Sequence, residues 1–201
     1  MKKTKLSLVV VLLAIASLAG AQNFSFNVKG GLNLSNLSGD VEDNKVKPGF
    51  HIGVGADYNF APNMAIQSAL LYSAKGAKAD LEGIDITLNA NYLQLPVHFA
   101  YKIDAAPGTK VVLHAGPYIA YGVGGEIKGK ESGVTVAIDT FDGDIGLMKR
   151  LDAGLGLGVS TEFGPILLDL GWDMGLINVA RDSGNESVKN QNAYLTIGYR
   201  F

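Results

Sequence analysis

Apolar and polar residues alternate with a period of two along most of this chain, the signature of β-strands with two unlike faces. The ending, NAYLTIGYRF, is the clearest case: Ala193, Leu195, Ile197, Tyr199 and Phe201 alternate with Asn192, Tyr194, Thr196, Gly198 and Arg200. The same period predicts earlier strands over Phe24–Leu34, Phe50–Phe60, Met64–Tyr72, Tyr92–Tyr101, Val111–Tyr121, Leu151–Ser160 and Ile166–Leu176. With the ending, this makes eight.

The connections alternate as well. Ala61-Pro62-Asn63, IDAAPGT and FGP are short and carry turn chemistry, whereas 35–47, 77–86, 122–149 and 178–190 are long. Strict alternation of short and long, with an even strand count, predicts an all-β, eight-stranded antiparallel up-and-down transmembrane β-barrel, with both termini on the short-turn side. The last strand must then pair with the first, because an open sheet edge is not tolerated in lipid. A soluble lipocalin-type barrel with its apolar face inward is the competing architecture. The polar face is so rich in glycine, and so poor in charge, that it would leave a soluble exterior almost bare, which favours the membrane form.

Composition sharpens this reading. The chain has 201 residues, 26 glycines, no cysteine and only 18% charged residues, which excludes a disulfide framework, thiolate metal sites and a disordered chain. Acids and bases nearly balance, so nucleic acid is not an expected partner. The start reads as an export signal: Lys2, Lys3 and Lys5, an apolar run over Leu6–Leu18 too short to span a membrane, then Ala19-Gly20-Ala21. Cleavage after Ala21 makes 1–21 the signal and 22–201 the barrel domain, with Gln22 as the first mature residue.

The stretches KPGFHIGVGADYNF, LLYSAKGAK, NYLQLPVHFAYK, HAGPYIAYGVGG, RLDAGLGLGVSTEFGPILLDLGWDMGLIN and AYLTIGYRF, in that order and spacing, resemble the PorT-like outer-membrane β-barrel family of Bacteroidota-type bacteria. The resemblance covers most of the chain after the signal. It implies an eight-stranded outer-membrane barrel and carries no activity; the link of the founding member to protein secretion does not transfer on these residues. Family knowledge also makes the terminal aromatic strand, with Tyr199 and Phe201, the signal read by the barrel-assembly machinery.

Candidate chemistry lies on the polar face. Lys29, Asp57, His98, His114, Asp152, Asp169, Asp173 and Arg200, together with Lys102 and Glu162, are expected to form a polar network inside the barrel, since eight strands leave room only for side chains. If the turn after the fourth strand centres on Ala106, His98 and His114 sit directly opposite each other. Two imidazoles fall short of a metal's usual ligand count, so lumen filling is the expectation and no metal or cofactor is assigned. His51 is placed near the outer rim, unable to join them, beside Asp40, Glu42 and Asp43, where an acid–base pair is conceivable. Asp169 is the favoured partner of Arg200. Asp139, Asp142 and Asp144 lack EF-hand spacing and read as a solvated acidic loop. The glycines of GVGG and GLGLG lie within strands, which rules out a dinucleotide loop.

These features together predict a non-enzymatic outer-membrane barrel with a filled lumen, structural or engaged in binding or adhesion through loops 35–47, 122–149 and 178–190. The alternatives are an accessory component of a secretion or transport machine and, less favoured, a rim enzyme. The expected partners are outer-membrane lipid, the assembly machinery and an extracellular or envelope protein. Val134, Val136, Ile138 and Phe141 in the longest loop are expected to serve as exposed anchors or as a strand prolonged beyond the membrane.

Overall fold

The computed structural model describes residues 23–40, 44–81, 84–131, 134–141, 147–181 and 187–201. The export signal, Gln22, Glu42, Asp43, Asp142 and Asp144 lie outside the described residues.

The strands are β1 (Phe24–Gly39), β2 (Asn44–Ala61), β3 (Met64–Leu81), β4 (Ile84–Ala106), β5 (Thr109–Gly124), β6 (Glu126–Glu131), β7 (Val134–Asp139), β8 (Leu151–Phe163), β9 (Ile166–Gly175) and β10 (Val188–Arg200). Each of β1 to β5 and β8 to β10 pairs antiparallel with two neighbours, in the cyclic order β1-β2-β3-β4-β5-β8-β9-β10. This is the predicted eight-stranded ring. β10 closes it on β1, with Val28 opposite Tyr199 and Leu32 opposite Leu195, and the Phe201 amide donates to the Phe26 carbonyl at 3.0 Å.

The extra strands lie in the long connection 122–149, where a strand prolonged beyond the membrane was one of the two expectations. β6 carries β5 onward past Gly125, pairing with the outer part of β4, and β7 folds back on β6. The long connections are therefore mostly strand: β1 and β2 run to Gly39 and from Asn44, and β3 and β4 run to Leu81 and from Ile84. Period-two patterning fades there because, beyond the membrane, both faces can be polar. At the other end the turns are tight. Pro107-Gly108 and Gly164-Pro165 join strands directly, with Gly108 and Gly164 at φ of 75° and 56°, a region where a side chain would be strained.

Leu32, Ile52, Leu70, Leu113, Leu157, Leu170 and Ile197 all point outward and are at least half exposed, while the alternate positions face the lumen. So large a continuous apolar exterior is untenable in water and is what lipid requires; the lipocalin arrangement is thereby excluded. Aromatic residues border the band. Phe24, Tyr58, Phe60, Phe99, Tyr199 and Phe201 gather at the short-turn end, and Phe50, Tyr72, Tyr121 and Trp172 at the other, the girdles expected at two membrane interfaces.

Candidate functional site: the polar lumen and its outer cap

Glycines on the inner face of β8 give the lumen its width. A Cβ on Gly156 would stand 2.7 Å from His98 Nε2, and one on Gly158 2.6 Å from the His114 ring. The glycine-rich polar face thus exists so that large polar side chains from facing strands can fit.

At the short-turn end Arg200 donates to Glu162 at 2.8 Å, with its second nitrogen 2.6 Å from the other carboxylate oxygen. Lys102 reaches the same carboxylate at 3.0 Å, and Asp57 lies 3.7 Å from Arg200 while accepting from Gln67 at 3.2 Å. Side chains from five strands converge here. Asp169 is not Arg200's partner as expected. It lies across from Thr196, four residues deeper along β10, and the strand geometry holds it at the level of His114.

In the middle of the barrel, His114 Nε2 meets Asp169 at 2.9 Å and His114 Nδ1 meets His98 Nδ1 at 3.0 Å, the two rings nearly parallel at 17°. The register differs from the sequence expectation. His114 pairs with Ala100, because the turn centres on Pro107-Gly108 and not on Ala106, so the imidazoles are diagonal neighbours. With both rings neutral, Asp169 fixes the tautomers. His114 donates from Nε2, His98 donates from Nδ1, and His98 Nε2 is left buried without a partner. His51 departs further from expectation. It is buried in the lumen, held by Asn33 Oδ1 and Thr196 Oγ1 at 2.9 Å each, and lines the same cavity as the histidine pair. It sits at mid-height because β2 extends well beyond it. That cavity is about 60 Å³, room for a few waters. Lys29 reaches it and a second cavity of about 30 Å³ below.

Above lies a residue the sequence reading missed. Lys75 is 1% exposed, 3.6 Å from Asp173, with its ammonium 4.9 Å from the centre of the Tyr118 ring. Gln94 donates to Asp173 at 2.8 Å; Tyr118 and Asn190 donate to Asp152 at 3.3 and 3.0 Å. The signal for Lys75 was present: Gln67, Ser73 and Lys75 continue the inward parity of β3 past its apparent end at Tyr72.

The outer mouth is capped from within. Phe141 is 1% exposed and packs edge-on against Tyr92 at 5.5 Å, joined by Met148, Val179, Ala90 and Ala120. Arg181 donates to its carbonyl at 3.3 Å, and the Arg150 guanidinium lies 5.6 Å from its ring centre. Phe141 was expected as an exposed anchor or as part of a prolonged strand; it lies past the end of β7 and is instead the lid. Val136 is 64% exposed, and the side chain of Val134 lies outside the described residues.

This architecture has known counterparts. A family model described as the outer membrane protein beta-barrel domain matches residues 20–181. The chain belongs to that family, and its place is the outer membrane. Solved structures similar to this outer-membrane barrel include OprG from Pseudomonas aeruginosa (TM-score 0.52, 12% identity, covering 89% of this chain and 96% of that one). A major outer membrane protein from Thermus thermophilus is alike (0.50, 18%, 89% and 99%), as is Neisserial surface protein A (0.50, 15%, 90% and 100%). At these identities the likeness shows the fold alone. No curated protein matches the chain.

Among the described residues, the acid–base pair conceived at the outer rim is not formed. His51 is inside the lumen, whereas Asp40 is exposed and accepts from the Ser187 amide at 2.8 Å, tying the end of β1 to the start of β10. Asp139 accepts from the Phe141 amide at 2.8 Å and so helps to set the lid.

Proposed function

We propose that this barrel acts through its outer surface, as a structural or binding and adhesion protein, and not as a channel. The observation behind the reading is the double closure of the lumen: ion pairs among four strands at the short-turn end and the Phe141 lid at the other. Prolonged, paired hairpins outside the membrane supply a rigid surface for a partner, as a strand-built site does better than a loop. We also propose that, within the family, the chain falls with the PorT-like barrels, on the ordered stretches quoted above.

Co-purification from native envelopes tests this. A surface or extracellular protein is expected to accompany the intact barrel and to be lost when residues 126–139 are replaced by a short turn. Recovery of periplasmic or inner-membrane machinery, unaffected by that replacement, would favour the second reading, an accessory of a secretion or transport machine.

A further inference from the structure

Two prolines interrupt the barrel wall at one height. Pro96 lies within β4 and Pro117 within the neighbouring β5. Proline has no amide to donate, so each removes a ladder hydrogen bond. The loss shows on both sides of β4. Towards β3, pairing is formed at Ser68–Val97 and again at Leu71–Gln94, with Leu95 and Pro96 skipped between. Towards β5 it is formed at Pro96–Tyr118 and again at Phe99–Ala115, with Val97 and His98 skipped. Register is the same before and after each gap, so neither is a bulge. The Ser68 hydroxyl, donating to the Pro96 carbonyl at 2.9 Å, ties β3 to β4 here. Leu70, Leu95 and Val97 beside the gaps face outward and are exposed, so this loosely tied stretch of wall stands in hydrocarbon, where lipid supplies no replacement donor.

Behind it lies the cavity of about 60 Å³, which Pro96, Ala69 and Leu71 help to line. Two polar atoms of the same lining are buried without a partner, His98 Nε2 and Gln94 Oε1, on residues 6% and 2% exposed. Both are acceptors. The Asp169–His114–His98 chain leaves His98 Nε2 without a proton, and Gln94 is oriented by donating its Nε2 to Asp173 at 2.8 Å. An occupant must therefore donate. It must also be neutral: Lys29 and Asp169 line the cavity, and Lys75 is already paired with Asp173, so a charged group would have no counter-charge left. The volume admits a hydroxyl and a few carbons, with Ala69 and Leu71 to receive the carbons.

We propose that this cavity binds the hydroxyl end of a small aliphatic alcohol dissolved in the membrane, His98 Nε2 and Gln94 Oε1 accepting from it, and that the ligand enters sideways through the wall at Pro96. Entry from lipid fits a lumen sealed at both ends, and the proposal does not depend on the binding role given to the outer hairpins.

Photolabelling tests it. The full mature protein in lipid nanodiscs is labelled with a diazirine-bearing octanol, and the labelled residues are mapped by mass spectrometry. Saturable labelling is expected on the inner-face residues Ala69 and Leu71, displaced by excess octanol and not by octane, which has the same chain and no donor. His98→Phe removes an acceptor and should lower that labelling about tenfold, the scale of one hydrogen bond. Pro96→Ala restores an amide to the gap and should slow it, whereas Pro107→Ala in the short turn should not. Heat-modifiable migration on gels reports that each variant is folded, and the contrast of octanol with octane in the wild-type protein stands without any variant. Labelling confined to outward residues would mean that water alone fills the cavity. That result, equal displacement by octane, or an unchanged rate in Pro96→Ala would each overturn the proposal.

Discussion

Single residues in this barrel are under opposite demands on the two faces of each strand. Inward positions must be small where a facing residue is large. Gly158→Val would drive a side chain into the His114 ring and the Leu170 carbonyl, 2.6 and 2.9 Å from where its Cβ would stand. Overpacking of this kind costs about 1–3 kcal/mol, measurable as a lower urea midpoint in refolding from detergent. Lys75 offers a sharper case. Lys75→Met leaves Asp173 buried beside an apolar group and is expected to destabilise the barrel by about 3–5 kcal/mol. Adding Asp173→Leu should restore part of that loss; a double variant as unstable as the single one would mean that the pair is not what holds the site. The inward set Lys29, Asp57, His98, His114, Asp152, Asp169, Asp173 and Arg200 was legible from strand parity. The partners were not, because a pairing depends on how far strands slide past one another. One misplaced turn centre moved His114 from opposite His98 to opposite Ala100, and four residues of depth separate Asp169 from Arg200.

At the scale of elements, parity fixes which changes insertion tolerates. Leu195 is 54% exposed on the lipid face of β10. Leu195→Arg would place a charge in hydrocarbon at about 2–4 kcal/mol near the midplane and is expected to block insertion, seen as loss of heat-modifiable protein from the outer membrane. Thr196→Ser, on the inner face, keeps the hydroxyl that His51 meets and should leave assembly unchanged. Deleting Phe201 should impair assembly, since its amide donates to the Phe26 carbonyl just past β10 and completes the seam that closes the ring. Strand identity was readable wherever lipid demands alternation. β7 (Val134–Asp139) was readable only as one of two alternatives, through Val134, Val136 and Ile138, and β6 (Glu126–Glu131) not at all, because these strands stand in water, where neither face needs to be apolar.

For the whole molecule, the account requires a closed ring with apolar side chains outside, a polar lumen and two seals. Reconstituted protein is therefore expected to give no large steady conductance in planar bilayers; stable porin-sized currents would show that the Arg200–Glu162 cluster or the Phe141 lid does not close the lumen. The ring itself is tested most directly at its seam, where β10 meets β1. Cysteines placed singly from Ala193 to Phe201, in a chain with none of its own, can be labelled with a thiol reagent dissolved in the lipid phase. Labelling is expected to alternate and to be strongest at Leu195, Ile197, Tyr199 and Phe201. Uniform labelling, or a maximum at Thr196, Gly198 and Arg200, would contradict the closed membrane barrel.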